Sequence, residues 1–282
     1  IRVTVEGVGE VLTEKGIKLE ELSKQVFEKD YRKYIGARIN NEIYHLRKSI
    51  EENMYIKFLS LKDEDGHKIY ARTATAIFIM ACKEIFPRST VKIEHSIGEG
   101  LYAELEGERS ISFSEVEKLK AKMKEIINKD IPIIREKVPA VKGITLFKDR
   151  GYEDKVRLYN TLDRELIQTY RIGHHIDGFH GYLAPSTGFV NIFDLKYYYP
   201  GAIILIPTTE CVNQIPEFIE QKKLAKVFKE ANEWASILDL GYVGSLNEKV
   251  LNGDIGEVLR ISETLQEKKV GHIADEICKY DD

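Results

Sequence analysis

Residues 68–105 read KIYARTATAIFIMACKEIFPRSTVKIEHSIGEGLYAEL, and this stretch decides the fold class. Its first part, 71–86, is apolar almost all the way round, which predicts a helix that is buried on every side. Pro87 ends that helix because proline lacks the backbone donor that a further turn would need. Residues 89–105 then alternate apolar and polar side chains about a turn at 98–100, which predicts two strands. A buried helix followed by a strand pair indicates an α+β fold.

The residues before this stretch predict a small domain of their own. IRVTVEGVGEVLTEKG (1–16) alternates valines about glycines, as a hairpin does, and LEELSKQVFEKDY (19–31) places its apolar residues on one helical face. ARINNEIYHL (37–46) and NMYIKFLSL (53–61) predict two short strands before a DEDG turn at 63–66. The order strand, strand, helix, strand, strand is that of a ubiquitin-like β-grasp, although periodicity alone predicts only a small α+β domain.

The residues after this stretch predict a mixed region and then helices. SEVEKLKAKMKEIINK (114–129) is an amphipathic helix with Ser114 as its expected N-cap, three residues before Glu117. Strands are expected at KVRLYNTL (155–162), LIQTYRIG (166–173), GFVNIFDLKYYYP (188–200) and GAIILIP (201–207). A helix is expected over 216–234, and the remainder, 237–282, is predicted to be mostly helical.

Composition excludes several classes of protein. The 282 residues carry 42 basic and 46 acidic side chains, so the net charge of -4 gives no overall attraction to phosphate, and contact with nucleic acid needs a local basic patch. The three cysteines lie far apart, which suits the reducing cytosol. The apolar stretches are too short to cross a bilayer. We therefore expect a cytoplasmic protein with no membrane contact.

The common catalytic motifs are missing from the sequence. There is no GxxxxGK[ST] string to cradle nucleotide phosphates, no GxSxG elbow and no HExxH zinc motif. One polar cluster remains, in YRIGHHIDGFHGYLAPSTGF (170–189), where His174, His175, Asp177 and His180 lie within seven positions. On a strand, His175 and Asp177 would point to the same face. The cluster is compatible with a metal site, with a polar ligand pocket, or with histidines that merely cap strand ends.

Several of these strings together resemble a known family. KIYARTATAIFIMACKEIFPRSTVKIEHSIGEGLYAEL, FSEVEKLKAKMKEIINKDIPI, LYNTLDRELIQTYRIGHHIDGFHGYLAPSTGFV and QKKLAKVFKEANEWASIL are similar to the editing domain, or second additional domain, of threonyl- and alanyl-tRNA synthetases. The first 60 or so residues resemble the TGS domain that precedes it in threonyl-tRNA synthetase. The resemblance implies a TGS-like β-grasp over 1–62, an editing-domain-like α+β fold over 63–235, and a helical connector over 236–282.

The resemblance also implies where a zinc site would lie. The family binds zinc through HxxxH on the buried helix and CxxxH in the later strand-turn segment. Those four positions fall on Arg72, Ala76, Phe179 and Leu183, which supply no zinc ligand, so we expect no metal here. If the cleft survives, Arg72 projects into it and would favour an anion such as a phosphate, a nucleotide or a tRNA end. The expected rim residues are His95, His174, His175, Asp177 and His180. Alternatively, Arg72 is held in an ion pair with a carboxylate such as that of Asp177.

The whole order of pieces is similar to the N-terminal half of uridine kinase-like nucleoside kinases, whose P-loop domain would follow VLRISETLQEKKVGHIADEICKYDD. This resemblance implies a non-catalytic accessory region that senses a ligand or binds RNA, with ATP and Mg²⁺ used only by a kinase domain missing from this chain. The alternatives are a deacylase of mischarged tRNA with a relocated site at the histidines, and a module that holds copies together as a homo-oligomer.

Overall fold

The fold is described from a computed structural model, which defines residues 1–106 and 110–280. The chain forms two compact units. One comprises Ile1–Glu136 and Gln168–Gln221, and the other comprises Lys137–Ile167 and Lys222–Asp282. The architecture is a mixed α+β fold with three sheets, as expected from the sequence. Among the described residues, no helix is both long and apolar enough to cross a membrane.

The first sheet lies in the N-terminal part of the larger unit. Its elements, in chain order, are β1 (Arg2–Val5), β2 (Gly9–Leu12), α1 (Leu19–Phe27), a 3₁₀ helix (Glu28–Lys33), β3 (Tyr34–Ile39), β4 (Glu42–Tyr44) and β5 (Met54–Ser60). The strand order is β2-β1-β5-β3-β4, and β5 runs parallel to β1. The stretch that was predicted as one strand at 37–46 contains a hairpin, because Asn40 and Asn41 both adopt positive φ and reverse the chain.

A buried helix and a hairpin follow, as the deciding stretch predicts: α2 (Glu64–Ile85), β6 (Val91–Ile97), β7 (Gly100–Leu105) and then α3 (Phe113–Asn128). Two local predictions were wrong. Residues 63–66 are not a turn, since α2 begins at Glu64 and the Asp63 carboxylate accepts the Ser60 amide at 2.9 Å. The N-cap of α3 is Ser112, whose hydroxyl accepts from the Glu115 amide, and not Ser114.

The next part of the chain contributes to both units. Its elements are β8 (Ile133–Pro139), α4 (Ala140–Lys148), α5 (Glu153–Asn160), β9 (Leu166–Ile172), β10 (His175–Asp177), a 3₁₀ turn (Thr187–Phe189), β11 (Asp194–Tyr198) and β12 (Gly201–Leu205). The second sheet has the order β10-β9-β8, and the third has the order β11-β12-β7-β6. The strand predicted at 155–162 was wrong, because α5 occupies most of it. Only 194–198 of the strand predicted at 188–200 is extended.

Helices complete the smaller unit, as expected: α6 (Lys222–Ile237), α7 (Val243–Leu251) and α8 (Ile255–Cys278). The helix predicted from 216 begins at Lys222. Within this unit, the Arg157 guanidinium on α5 binds Asp239 at 2.8 Å and Glu248 at 2.6 Å. Residues 281 and 282, at the end of the predicted helical stretch, lie outside the described residues.

Candidate functional site

Three arginines from separate elements of the larger unit contact the loop that follows β10, at Tyr182 and Pro185. Arg72 on α2 donates through Nη1 to the carbonyl oxygen of Tyr182 at 3.3 Å. Arg47, after β4, donates through Nη2 to the carbonyl oxygen of Pro185 at 2.9 Å. The guanidinium carbon of Arg135 on β8 lies 5.0 Å from the centroid of the Tyr182 ring. We call Arg47, Arg72 and Arg135 the arginine cluster.

The loop that carries Tyr182 is held in place by buried polar contacts. The Tyr170 hydroxyl on β9 donates to the carbonyl oxygen of Gly181 at 2.6 Å, and the Gln168 amide donates to the same oxygen at 3.2 Å. On the other side, the Thr73 hydroxyl of α2 accepts the Ala184 amide at 2.9 Å. The arginine cluster is therefore built on a backbone with a fixed position.

Gly181 leaves space for the Arg72 guanidinium beside this loop. Its φ of +93° is a conformation that other residues rarely adopt. A Cβ atom at this position would lie 2.8 Å from the guanidinium carbon of Arg72. The glycine thus provides both the backbone turn and the space for the cation.

The electrostatic environment of the cluster is positive and partly desolvated. Burial, together with the charges of Arg135, Arg47 and Lys48, lowers the pKa of His45 to about 4, and the His45 ring lies 5.4 Å from that of Tyr182. Burial also lowers the pKa of Arg72. The carboxylate of Asp65, which favours the charged form of Arg72, is itself paired with Arg38. Burial is the largest cause of the low pKa of His45, and the three neighbouring cations lower this pKa further.

Two of the three guanidinium groups have donors without a partner. The Nε atoms of Arg47 and Arg135 are buried, and neither forms a hydrogen bond with any of the described residues. Arg135 does donate through Nη2 to the side-chain oxygen of Gln168, which fixes its orientation. Buried cationic donors without acceptors are unfavourable, and an anion with several acceptor oxygens would satisfy them.

Of the four positions that the resemblance assigns to zinc, Arg72 belongs to the arginine cluster, and the other three lie on α2 and in the segment after β10. Ala76 is fully buried on α2, one turn after Arg72, and Leu183 is buried in the loop. The Phe179 ring packs edge-on against Tyr170, with centroids 6.3 Å apart. Throughout 1–106 and 110–280, no three His, Cys, Asp or Glu side chains converge in a way that could hold a metal ion.

The predicted rim residues are only partly brought together. His174 and His180 are exposed, whereas His175 and Asp177 are buried on one face of β10, with His175 Nε2 3.9 Å from Asp177 Oδ2. Asp177 pairs in register with Tyr170, so it belongs to the scaffold that holds the loop. His95 lies on β6 in another sheet, where its ring is 5.6 Å from that of Tyr102 and burial lowers its pKa.

The sequence did not identify Arg47, Arg135 or Gln168 as site residues. Gln168 lies two positions before Tyr170 on β9, so the strand period places both on one face, but this spacing does not distinguish a site from an ordinary strand. Arg47 and Arg135 carry no motif. Only the fold brings them to the same loop.

Comparison with known proteins gives one consistent relationship. No protein-family model matches the chain. It is 29% identical to the threonine–tRNA ligase of Clostridium tetani over 196 residues, which are 69% of this chain and 31% of that protein. It is 31% identical to the threonine–tRNA ligase of Caldanaerobacter subterraneus over 183 residues, 64% of this chain and 28% of that protein. For the threonine–tRNA ligase of Wolbachia pipientis the identity is 32% over 165 residues, 58% and 26% of the two chains.

These matches support a threonyl-tRNA synthetase-like domain in this chain. The chain spans less than a third of the length of the curated relatives it matches.

Proposed function

We propose that this region binds RNA, and that the arginine cluster contacts phosphates at the end of a tRNA. The observation that carries the proposal is the pair of buried guanidinium Nε atoms, on Arg47 and Arg135, that find no acceptor among the described residues. Arginine contacts phosphate oxygens through a planar fork of donors, and phosphate contacts position a protein on a nucleic acid. The choice of tRNA is supported by the relatives, which are named as threonine–tRNA ligases.

Replacing Arg135 with alanine is expected to weaken tRNA binding by about tenfold. The slope of log affinity against log salt concentration should fall by about one, which corresponds to the loss of one phosphate contact. The measurement is fluorescence anisotropy with a labelled uncharged tRNA, repeated over a series of salt concentrations. Arg135 is chosen because its guanidinium lies over the Tyr182 ring and is held in orientation by a hydrogen bond to Gln168. Its substitution therefore removes a charge with a fixed position in the site.

The matched control is Arg171→Ala. Arg171 lies on β9 in the same unit, is exposed, and pairs with Glu136 outside the cluster. We expect this variant to bind tRNA like the unmodified protein, although its net charge changes by the same amount. Equal binding by Arg135→Ala and the unmodified protein, or equal losses in both variants, would contradict a specific phosphate site.

The imidazole of His45 provides a second, independent measure of anion binding. Burial and the neighbouring positive charges together hold the pKa of His45 near 4. A phosphate near the cluster would offset the charges, so this pKa should rise when tRNA binds. The bound state then takes up a proton, and affinity should increase as the pH falls from neutral toward 5. An NMR titration of the His45 ring with and without an acceptor-stem RNA measures the shift; an unchanged or lower pKa would place the anion elsewhere.

A second candidate function is hydrolysis of charged tRNA. It is favoured by the buried pair of His175 and Asp177, which has the composition of a general base and the carboxylate that orients it. This candidate predicts release of the amino acid from charged tRNA, and loss of that release in His175→Ala. Elemental mass spectrometry of the purified protein, run in parallel, measures whether a metal accompanies any activity.

Three finer assignments remain proposals. A TGS-like domain at 1–62 is supported by the order β2-β1-β5-β3-β4 with α1 between the two hairpins, and the boundaries at 62 and 235 stay predictions. The link to a nucleoside kinase, with its ATP and Mg²⁺, rests on resemblance alone. A homo-oligomer is supported by exposed apolar residues of α8, which include Leu259, Val270, Ile273 and Ile277. Sedimentation of the purified protein measures the number of chains that associate.

A further inference from the structure

A cavity of about 420 Å³ lies in the larger unit, apart from the residues that form the arginine cluster. This volume falls in the range of ~300–1,000 Å³ that is usual for small-molecule sites. Its walls come from both parts of the unit. The 3₁₀ helix Glu28–Lys33, the turn after β5, α2 and the segment around Phe189 all contribute lining residues.

The inner wall of the cavity is aromatic and rigid. Tyr70 is buried, and its hydroxyl both donates to the carbonyl oxygen of Ile192 at 2.8 Å and accepts from the amide of the same residue at 2.9 Å. Tyr34 also lines the cavity, and its ring is fixed by stacking on Phe27 with centroids 3.9 Å apart. Phe189 is buried and adds a third ring. Fixed aromatic rings favour a planar ligand, because stacking needs little reorganisation.

The mouth of the cavity is positively charged. Lys33 is paired with Asp30 at 2.9 Å, and Arg32 is paired with Asp130 on α3's C-terminal side. The ammonium groups of Lys29 and Lys62 are different, because neither forms an ion pair with any residue in 1–106 or 110–280. Lys29 lies on the 3₁₀ helix and Lys62 in the turn after β5, and together they supply the uncompensated charge.

Two amides complete the lining. Asn191 and Asn213 are exposed and line the cavity, and each side chain offers both hydrogen-bond donors and an acceptor. The cavity therefore combines three chemical features: rings for a planar group, amides for its polar edge, and two unpaired ammonium groups for an anion.

We propose that this cavity binds a nucleoside phosphate, with its base against Tyr34 and Phe189 and its phosphate at Lys29 and Lys62. The ligand is a free mononucleotide or the terminal nucleotide of an RNA strand, since both present the same base and phosphate. The cavity is lined by none of the residues of the arginine cluster. This proposal can therefore be tested independently of the proposed tRNA binding.

The test is isothermal calorimetry with the four ribonucleoside monophosphates, the matching nucleosides and inorganic phosphate. We expect at least one monophosphate to bind, and its nucleoside and inorganic phosphate each to bind about tenfold more weakly, because each lacks one half of the recognised chemistry. The double variant Lys29→Ala/Lys62→Ala should lose about tenfold or more in affinity for that nucleotide. Both lysines are exposed, so the variant should remain folded.

The matched control is Lys118→Ala/Lys124→Ala, which removes the same charge from exposed positions on α3 in the same unit. This control should bind the nucleotide normally. A short oligoribonucleotide that binds through Lys29 and Lys62 when free nucleotides do not would assign the site to an RNA end. Failure of both nucleotides and oligoribonucleotide to bind, or equal affinities in the two double variants, would overturn the proposal. Arg135→Ala should leave nucleotide binding unchanged, which separates this outcome from that of the tRNA experiment.

Discussion

Replacing Gly66 with alanine is expected to destabilise the larger unit by about 3 kcal/mol or more, a large effect for the addition of one methyl group. A Cβ atom on Gly66 would lie 2.0 Å from the carbonyl oxygen of Ser60 and 2.8 Å from its carbonyl carbon. The backbone cannot simply move apart, because the Asp63 carboxylate holds the Ser60 amide at 2.9 Å. Urea unfolding measures the free energy that tests this expectation. The dependence of that free energy on urea concentration should be the same in the variant and in the unmodified protein.

The control is another glycine-to-alanine substitution, at a position where an added Cβ atom contacts nothing. Gly271 lies in α8, and no atom approaches the position of an added Cβ within 4 Å. Alanine there should stabilise the helix by up to about 1 kcal/mol, because alanine loses less backbone entropy than glycine on forming a helix. If Gly66→Ala costs less than about 1 kcal/mol, the junction between β5 and α2 relaxes to admit the methyl group and does not require glycine.

The helix α2, which contains Gly66, shows what a sequence pattern can predict. Residues 71–86 are apolar on all sides, and α2 is indeed buried there, including Ala76, Ile77 and Phe78. The hairpin after Pro87 was equally predictable, since alternation and glycine turns are local signals. These features depend on neighbours in sequence, and local chemistry is sufficient to define them.

The prediction at 155–162 was wrong for a physical reason. Val156 and Tyr159 are three positions apart, and both pack against the core cluster of Phe147, Tyr152 and Ile167. The Tyr159 ring is stacked on that of Phe147, with centroids 5.6 Å apart. Residues three apart share one face of a helix but point to opposite faces of a strand, so contact of both with one apolar cluster requires the helix. That cluster includes Phe147, which lies outside the stretch 155–162. Tertiary packing determined the outcome.

The candidate site was predictable only at Arg72, through its place in the family resemblance. The expected alternative partner, Asp177, instead faces His175 at 3.9 Å, and the carboxylate that favours the charge of Arg72 is that of Asp65. Arg47 and Arg135 come from separate elements and meet at one loop. Arg47 and Arg135 share only their contact with this loop, and that contact leaves no pattern in the sequence around either residue.

Replacing Phe78 with alanine is expected to destabilise the protein by about 3–5 kcal/mol, since Phe78 is among the largest fully buried side chains and its removal leaves a cavity as well as losing apolar contact. The midpoint of urea unfolding should fall while its slope stays constant. Phe113→Ala is the matched control, because Phe113 is 64% exposed on α3, and it should cost less than about 1 kcal/mol.

The same variant separates support of the fold from a role in the site. Phe78 and Arg72 share α2, but Phe78 belongs to the apolar core, whereas Arg72 bonds to the loop at Tyr182. Under conditions in which Phe78→Ala remains folded, its affinity for tRNA should match that of the unmodified protein. A loss as large as that in Arg135→Ala would instead mean that the position of the cluster depends on tight packing along the whole helix, because a rigid core transmits a displacement that a loose one would absorb.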